Sequence, residues 1–228
     1  MSRTSIPLAV PGVAAPVSAI FDQPADPKSV LVFAHGAGAG MRHAFMEAVV
    51  ERLGARRVAT FRYQFPYWEQ GRRRPDPQPV LLETVRAAVA AAQARAPELP
   101  LFAGGKSMGG RMTTLAAAEE PLESVRGIVL FGFPLHRPGP PSTTRATHLA
   151  AVKVPMLFLQ GTRDTLADLE SMRGVCEGLG ANATLHVEEG ADHSFHVLKR
   201  SGRSDAEMLD ALTKVAVRWM EERRAPKG

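Results

Sequence analysis

The stretch Gly105-Lys106-Ser107-Met108-Gly109-Gly110 constrains this chain more than any other. It follows the apolar run Leu99-Pro100-Leu101-Phe102-Ala103-Gly104 and precedes an alanine-rich helical pattern, Met108 to Ala118, that stops near Pro121. Strand, sharp turn, serine and helix form the setting in which G-x-S-x-G makes a nucleophile elbow. The turn lifts the serine hydroxyl clear of the sheet, and glycines at 105 and 109 leave room for the neighbouring strand and helix. The same letters also end a phosphate-binding G-x-x-x-x-G-K-[ST] loop. That motif needs glycine where Pro100 stands, and the strand leaves too little loop to wrap a phosphate. A third reading makes Ser107 only the cap of the next helix.

A serine hydroxyl is a weak nucleophile at neutral pH and needs a base, which in turn needs an orienting carboxylate. The chain places candidates for both just past predicted strands. Apolar runs at Val30 to Ala34, Arg57 to Phe61, Leu101 to Gly104, Gly127 to Phe131, Met156 to Gln160 and Thr184 to Val187 read as strands. Helical patterns at Met41 to Gly54, Val80 to Arg95, Met108 to Ala118, Leu166 to Leu179 and from Ser204 to about Arg223 alternate with them. Ser204 and Glu207 have capping-box spacing. This alternation predicts an α/β fold, a mostly parallel central sheet with helices on both faces, and ligands at the carboxyl ends of its strands.

Asp164 follows the strand ending at Gln160, in Gly161-Thr162-Arg163-Asp164, and His193 follows the strand ending at Val187, in Gly190-Ala191-Asp192-His193. Asp164 is preferred to Asp168, which the pattern puts about a turn inside the next helix, although an N-cap role would also explain it. His193 is preferred to His196, His186 and His35 because it sits nearest a strand end, after a glycine that permits a tight turn. Acyl transfer also needs an oxyanion hole. The backbone N–H of Met108 supplies one donor, and the small-residue loop His35-Gly36-Ala37-Gly38-Ala39-Gly40 supplies the second through Ala37, with Gly38 as the alternative. Read as a dinucleotide loop, that segment would need glycine where Met41 stands.

These residues and their order, with Phe131-Gly132-Phe133-Pro134-Leu135-His136, resemble the α/β-hydrolase superfamily, and within it the small, lidless, dienelactone-hydrolase-like and "testis-expressed" hydrolase-like group. The resemblance covers about residues 18 to 223 and implies an eight-stranded fold, here with a strand missing at the N-terminal edge because little chain precedes Val30. It implies a serine hydrolase working through Ser107, Asp164 and His193, of carboxylesterase type and acting on small ester or thioester substrates. Dienelactone hydrolases proper use a cysteine nucleophile, and this chain has Ser107 instead. The alternative is a catalytically idle hydrolase-like scaffold.

The 228 residues suit one domain, and a net charge of +5 is too mild to argue for nucleic acid. One cysteine, Cys176, rules out an internal disulfide, so a cytoplasmic setting is expected. No apolar run approaches the ~20 residues of a membrane span, and Pro7, Pro11 and Pro16 break the apolar N-terminus, which reads as an extended lead-in. No metal or cofactor is expected, and the expected partner is a small-molecule acyl substrate. The slot Pro134 to Ala151 is too short for a cap domain. The loop Arg62 to Pro79 offers Tyr63, Phe65 and Arg72 as substrate-binding candidates, although packing explains such aromatics equally well and Arg72-Arg73-Arg74 also reads as a solvated charge run. Arg111, on the elbow helix, reads as structural.

Overall fold

A computed structural model describes residues 1–224. Its strands, in chain order, are β1 (Ser2–Leu8), β2 (Val17–Gln23), β3 (Ser29–Ala34), β4 (Val58–Tyr63), β5 (Leu101–Lys106), β6 (Val125–Phe131), β7 (Met156–Gly161) and β8 (Ala183–Glu188). They form one sheet in the order β1-β2-β4-β3-β5-β6-β7-β8. The pairs from β4 through β8 are parallel, while β1–β2 and β2–β4 are antiparallel. The N-terminal edge is therefore complete, not short of a strand. The proline-broken lead-in folds as a hairpin whose first strand is mostly exposed, so it lacks the continuous apolar run that marks a buried strand.

The helices are α1 (Ala44–Ala55), α2 (Pro66–Glu69), α3 (Gln78–Arg95), α4 (Met108–Glu119), α5 (Leu169–Leu179) and α6 (Asp205–Glu221). Side-chain alternation along the central strands divides the core in two. Val30, Val32 and Ala34 of β3 pack with Leu82 and Val85 of α3, Met112 of α4 and Met172 of α5. Leu31 and Phe33 face the other way, onto Met46 and Val50 of α1 and Leu212 and Trp219 of α6. Because each central strand is covered on both faces, its sequence reads as unbroken apolar residues. The capping box at Ser204 and Glu207 is present, with Glu207 N–H donating to Ser204 Oγ at 3.2 Å. Helix α5 starts later than its apolar pattern suggests. Asp168 is its N-cap, accepting from Ser171 N–H at 2.9 Å, and does not lie inside the helix.

Strand β4 also runs further than expected and takes in Arg62 and Tyr63. Arg62 is buried there because its guanidinium meets Asp22 of β2 at 2.7 Å and Glu47 of α1 at 2.8 Å, partners that neutralise a charge the strand could not otherwise hold. The slot between β6 and β7 holds only a 3-10 segment, Thr144–Ala151, so no cap covers the carboxyl ends of the strands.

Candidate active site

Ser107 sits between β5 and α4 with φ 52° and ψ −115°, a backbone that side chains other than glycine rarely adopt. Its N–H donates to Phe131 O at 3.0 Å, pinning the turn to β6. The flanking glycines are sterically required. A Cβ on Gly105 would lie 2.6 Å from Ala34 O, and one on Gly109 would lie 2.6 Å from both Ala34 O and His35 O. The turn can approach β3 this closely only if both positions lack side chains.

Three separate strand ends bring the sequence-predicted trio together. Ser107 Oγ donates to His193 Nε2 at 2.9 Å, and His193 Nδ1 donates to Asp164 Oδ2 at 2.8 Å. Asp164 is buried, and its carboxylate accepts two further bonds, from Gln160 Nε2 at 2.6 Å and from Leu166 N–H at 2.8 Å. The rivals lie elsewhere. His196 is exposed and bonded to Asp205, and His186 pairs with Glu188.

His35 is fully buried beneath the loop that follows β3. Its Nδ1 donates to Gly36 O at 2.8 Å and its Nε2 accepts Phe65 N–H at 3.1 Å, which fixes one neutral tautomer. Tyr67 hydroxyl donates to Ala37 O at 2.9 Å, and Gln64 Oε1 accepts Met41 N–H at 2.9 Å. Segment 64–67 thereby holds loop 35–41 in place. Among the described residues neither the Ala37 nor the Met108 N–H has a protein acceptor. Gly36 lies against the elbow, since a Cβ there would sit 3.8 Å from Ser107 Cβ. Ala37, Gly38, Phe45, Met46, Lys106, Ser107 and His193 line a cavity of ≈ 380 Å³.

Tyr63, Phe65 and Arg72 do not line that cavity. Tyr63 and Phe65 are fully buried in the core beneath the site, where Phe65 stacks with Tyr67 at 6.3 Å. Arg72 is exposed and bonds Asp76 at 2.5 Å and Gln70 at 3.0 Å, ordering its own loop. Sequence reasoning missed Lys106, in a variable position of the elbow motif. Its ammonium donates to His193 O at 2.5 Å and lies over the Phe45 and Phe195 rings at 5.8 and 5.4 Å, tying the elbow to the His193 loop. Burial lowers its pKa to about 8, against the opposing pull of Asp164 and Asp192. Gln160 was also missed, because its role depends on a partner, Asp164, that only the fold brings into bonding geometry. Among the described residues, no group of three or more His, Cys, Asp or Glu side chains is placed to hold a metal ion, and no helix is long and apolar enough to cross a membrane.

Burial lowers the His35 pKa from 6.5 to about 4, against backbone hydrogen bonds that pull it up, and lowers that of His148 to about 4, aided by nearby Arg111. The unfolded chain binds these protons at a higher pH than the folded one, so stability is lost as the pH falls from about 6.5 to about 4. Unfolding free energies from denaturant titrations across that range are expected to drop, by up to roughly 1.4 kcal/mol per pH unit for His35. A flat profile would contradict a neutral, buried His35.

A lidless doubly wound sheet carrying serine, histidine and aspartate at its strand ends defines a hydrolase class of fold. A family model described as alpha/beta hydrolase domain matches residues 27–221, and the chain belongs to that family. Among solved structures it is similar to a dienelactone hydrolase from Anabaena variabilis, at TM-score 0.79 and 21% identity, covering 98% of this chain and 99% of that one. An α/β serine hydrolase without a lid from Xanthomonas campestris gives TM-score 0.74 and 20% identity over 96% of this chain and 95% of the other. The esterase domain of a Rhodothermus marinus protein gives TM-score 0.75 and 15% identity over 99% of this chain and 100% of the other. At these identities the likeness is one of fold.

Proposed function

We propose that the protein is a carboxylesterase-like serine hydrolase acting on small ester or thioester substrates. The observation that carries the reading is the unbroken chain of hydrogen bonds from Ser107 Oγ through His193 to the buried Asp164 carboxylate, with Ser107 opening into the cavity. Ser107 Oγ attacks the substrate carbonyl carbon while His193 Nε2 takes its proton. Asp164 holds the Nδ1–H of His193 and stabilises the imidazolium that forms. The free N–H groups of Met108 and Ala37 receive the oxyanion. His193 then returns the proton to the departing alcohol or thiol as its bond to the carbonyl carbon breaks, leaving an acyl-serine. Water, deprotonated by His193, cleaves that acyl-serine and restores the hydroxyl. An uncapped cavity of ≈ 380 Å³ suits a short acyl chain better than a long lipid tail.

A fluorophosphonate probe should label Ser107, as read by peptide mass spectrometry, and His193→Ala should abolish the labelling. A screen of short p-nitrophenyl esters and acyl thioesters should give saturable turnover. A folded protein with no adduct and no turnover would favour the idle-scaffold alternative.

A further inference from the structure

The geometry points to an anion-binding subsite beside Ser107, formed by Arg111, Arg137 and Arg145, that takes a carboxylate or phosphate group carried by the ester substrate. The proposal rests on the reading of Ser107 as the nucleophile for the source of the anion, but not for the site itself.

The three arginines, with His136, Ser142 and Thr144, line a second cavity of ≈ 450 Å³. Among the described residues none of the three forms an ion pair with a carboxylate. Arg137 is exposed, but Arg111 and Arg145 are half-buried, and most other half-buried arginines among the described residues do pair, as with Arg56 to Asp210 and Arg86 to Glu83. Arg111 Nε is buried with no hydrogen-bond partner, and among the described residues no other atom of its guanidinium is hydrogen-bonded or ion-paired, so a structural role as a tether does not account for this side chain. Burial, then the neighbouring Arg145 and Arg137, lowers the Arg111 pKa, and burial, then Arg137, lowers that of Arg145. Like charges gathered without a counter-charge destabilise one another, and an oxyanion in their midst would reverse that penalty. Guanidinium forks match carboxylate and phosphate oxygens in bidentate geometry.

The cluster is held in place. Arg145 Nη1 donates to His136 O at 3.0 Å and its N–H to Leu135 O at 3.3 Å. His148 Nε2 meets Thr114 Oγ1 of α4 at 2.8 Å, clamping the loop to the elbow helix. The cluster is linked to the Ser107 site through the chain and its hydrogen bonds. Arg111, in the first turn of α4, lies four residues beyond Ser107 at the N-cap, and its backbone N–H donates to Ser107 O at 3.1 Å. Leu135 and His136 N–H donate to Leu166 O at 2.8 and 3.2 Å, and Leu166 N–H is itself bonded to Asp164.

The test compares p-nitrophenyl butyrate with p-nitrophenyl monoesters of succinate, adipate and suberate, in the wild type, Arg145→Gln and Arg137→Gln. At least one acidic ester is expected to exceed butyrate in wild-type kcat/KM. Each substitution should lower that advantage by about tenfold or more, while changing butyrate turnover by less than about twofold. No preference for an acidic ester, or a preference that both variants keep, overturns the substrate subsite. Calorimetric titration with inorganic phosphate and with succinate, in wild type and Ser107→Ala, reads the site without turnover. If no ester is hydrolysed, binding that Arg145→Gln abolishes keeps the anion site and rejects only the esterase reading. No binding rejects the site. Arg111→Gln is left aside as the primary variant because it adjoins the elbow.

Discussion

Ser107→Ala is expected to lower kcat/KM for a short p-nitrophenyl ester by about 10⁴- to 10⁶-fold with the fold intact, and His193→Ala should cost about as much. Without the hydroxyl no acyl-serine forms. Without the imidazole the hydroxyl keeps its proton, and the nucleophile is no stronger than a free alcohol. The two losses do not add, because each removes the same covalent step. The double variant should therefore fall to the same floor, set by the proposed oxyanion donors Met108 and Ala37 and by binding in the cavity. Alanine at 107 meets the same backbone demand, φ 52°, that serine does, so its thermal unfolding should resemble the wild type's. Undiminished turnover in a folded Ser107→Ala would remove Ser107 from the chemistry.

The trio was legible because local sequence rules cover all of it. Each residue follows an apolar run, each turn carries a glycine, and the chain order serine, aspartate, histidine fits one topology. Residues whose roles depend on distant partners were not legible. Arg62 ends an apolar run and looks like the start of a polar loop, yet it lies in β4 because Asp22, 40 positions earlier in the chain, neutralises it. Tyr63 and Phe65 looked available to substrate because a proline-rich stretch follows them, but the strand carries Tyr63 into the core and Phe65 packs beside it under His35. The N-terminal hairpin escaped notice for the opposite reason. Its outer strand is exposed, and its pairing with β2 is made by backbone bonds that leave no apolar signature. Lys106 fills a variable letter of the motif and Arg111 follows it, and their surroundings come from segments roughly 20 to 90 residues away in the chain.

Arg62→Met should lower the unfolding free energy by about 3–5 kcal/mol, because it strands a buried charge where a neutral core residue would pack harmlessly. Arg62 and Asp22 side chains are both fully buried and bonded through Nη2 at 2.7 Å and Nε at 3.2 Å, while Arg62 Nη1 serves Glu47 at 2.8 Å and Met41 O at 2.8 Å. Removing the guanidinium leaves Asp22 with only Arg3, a half-exposed partner. If the stranded charge is the cause, Asp22→Leu with Arg62→Met should recover most of the loss, a coupling that independent sites do not show. The acid limb of the stability curve gives a second readout. Burial pushes the Glu47 pKa up, but Arg62 and Arg3 together pull it down further, so it ends below the ordinary glutamate value. That contribution is present above the ordinary pKa and fades as the pH falls through the folded-state value. Arg62→Met should flatten this part of the limb. A single variant within ~1 kcal/mol of wild type at neutral pH would mean that Arg3 alone neutralises Asp22. The charge at 62 would then be a passenger in β4, and the extension of that strand past Phe61 would need another cause.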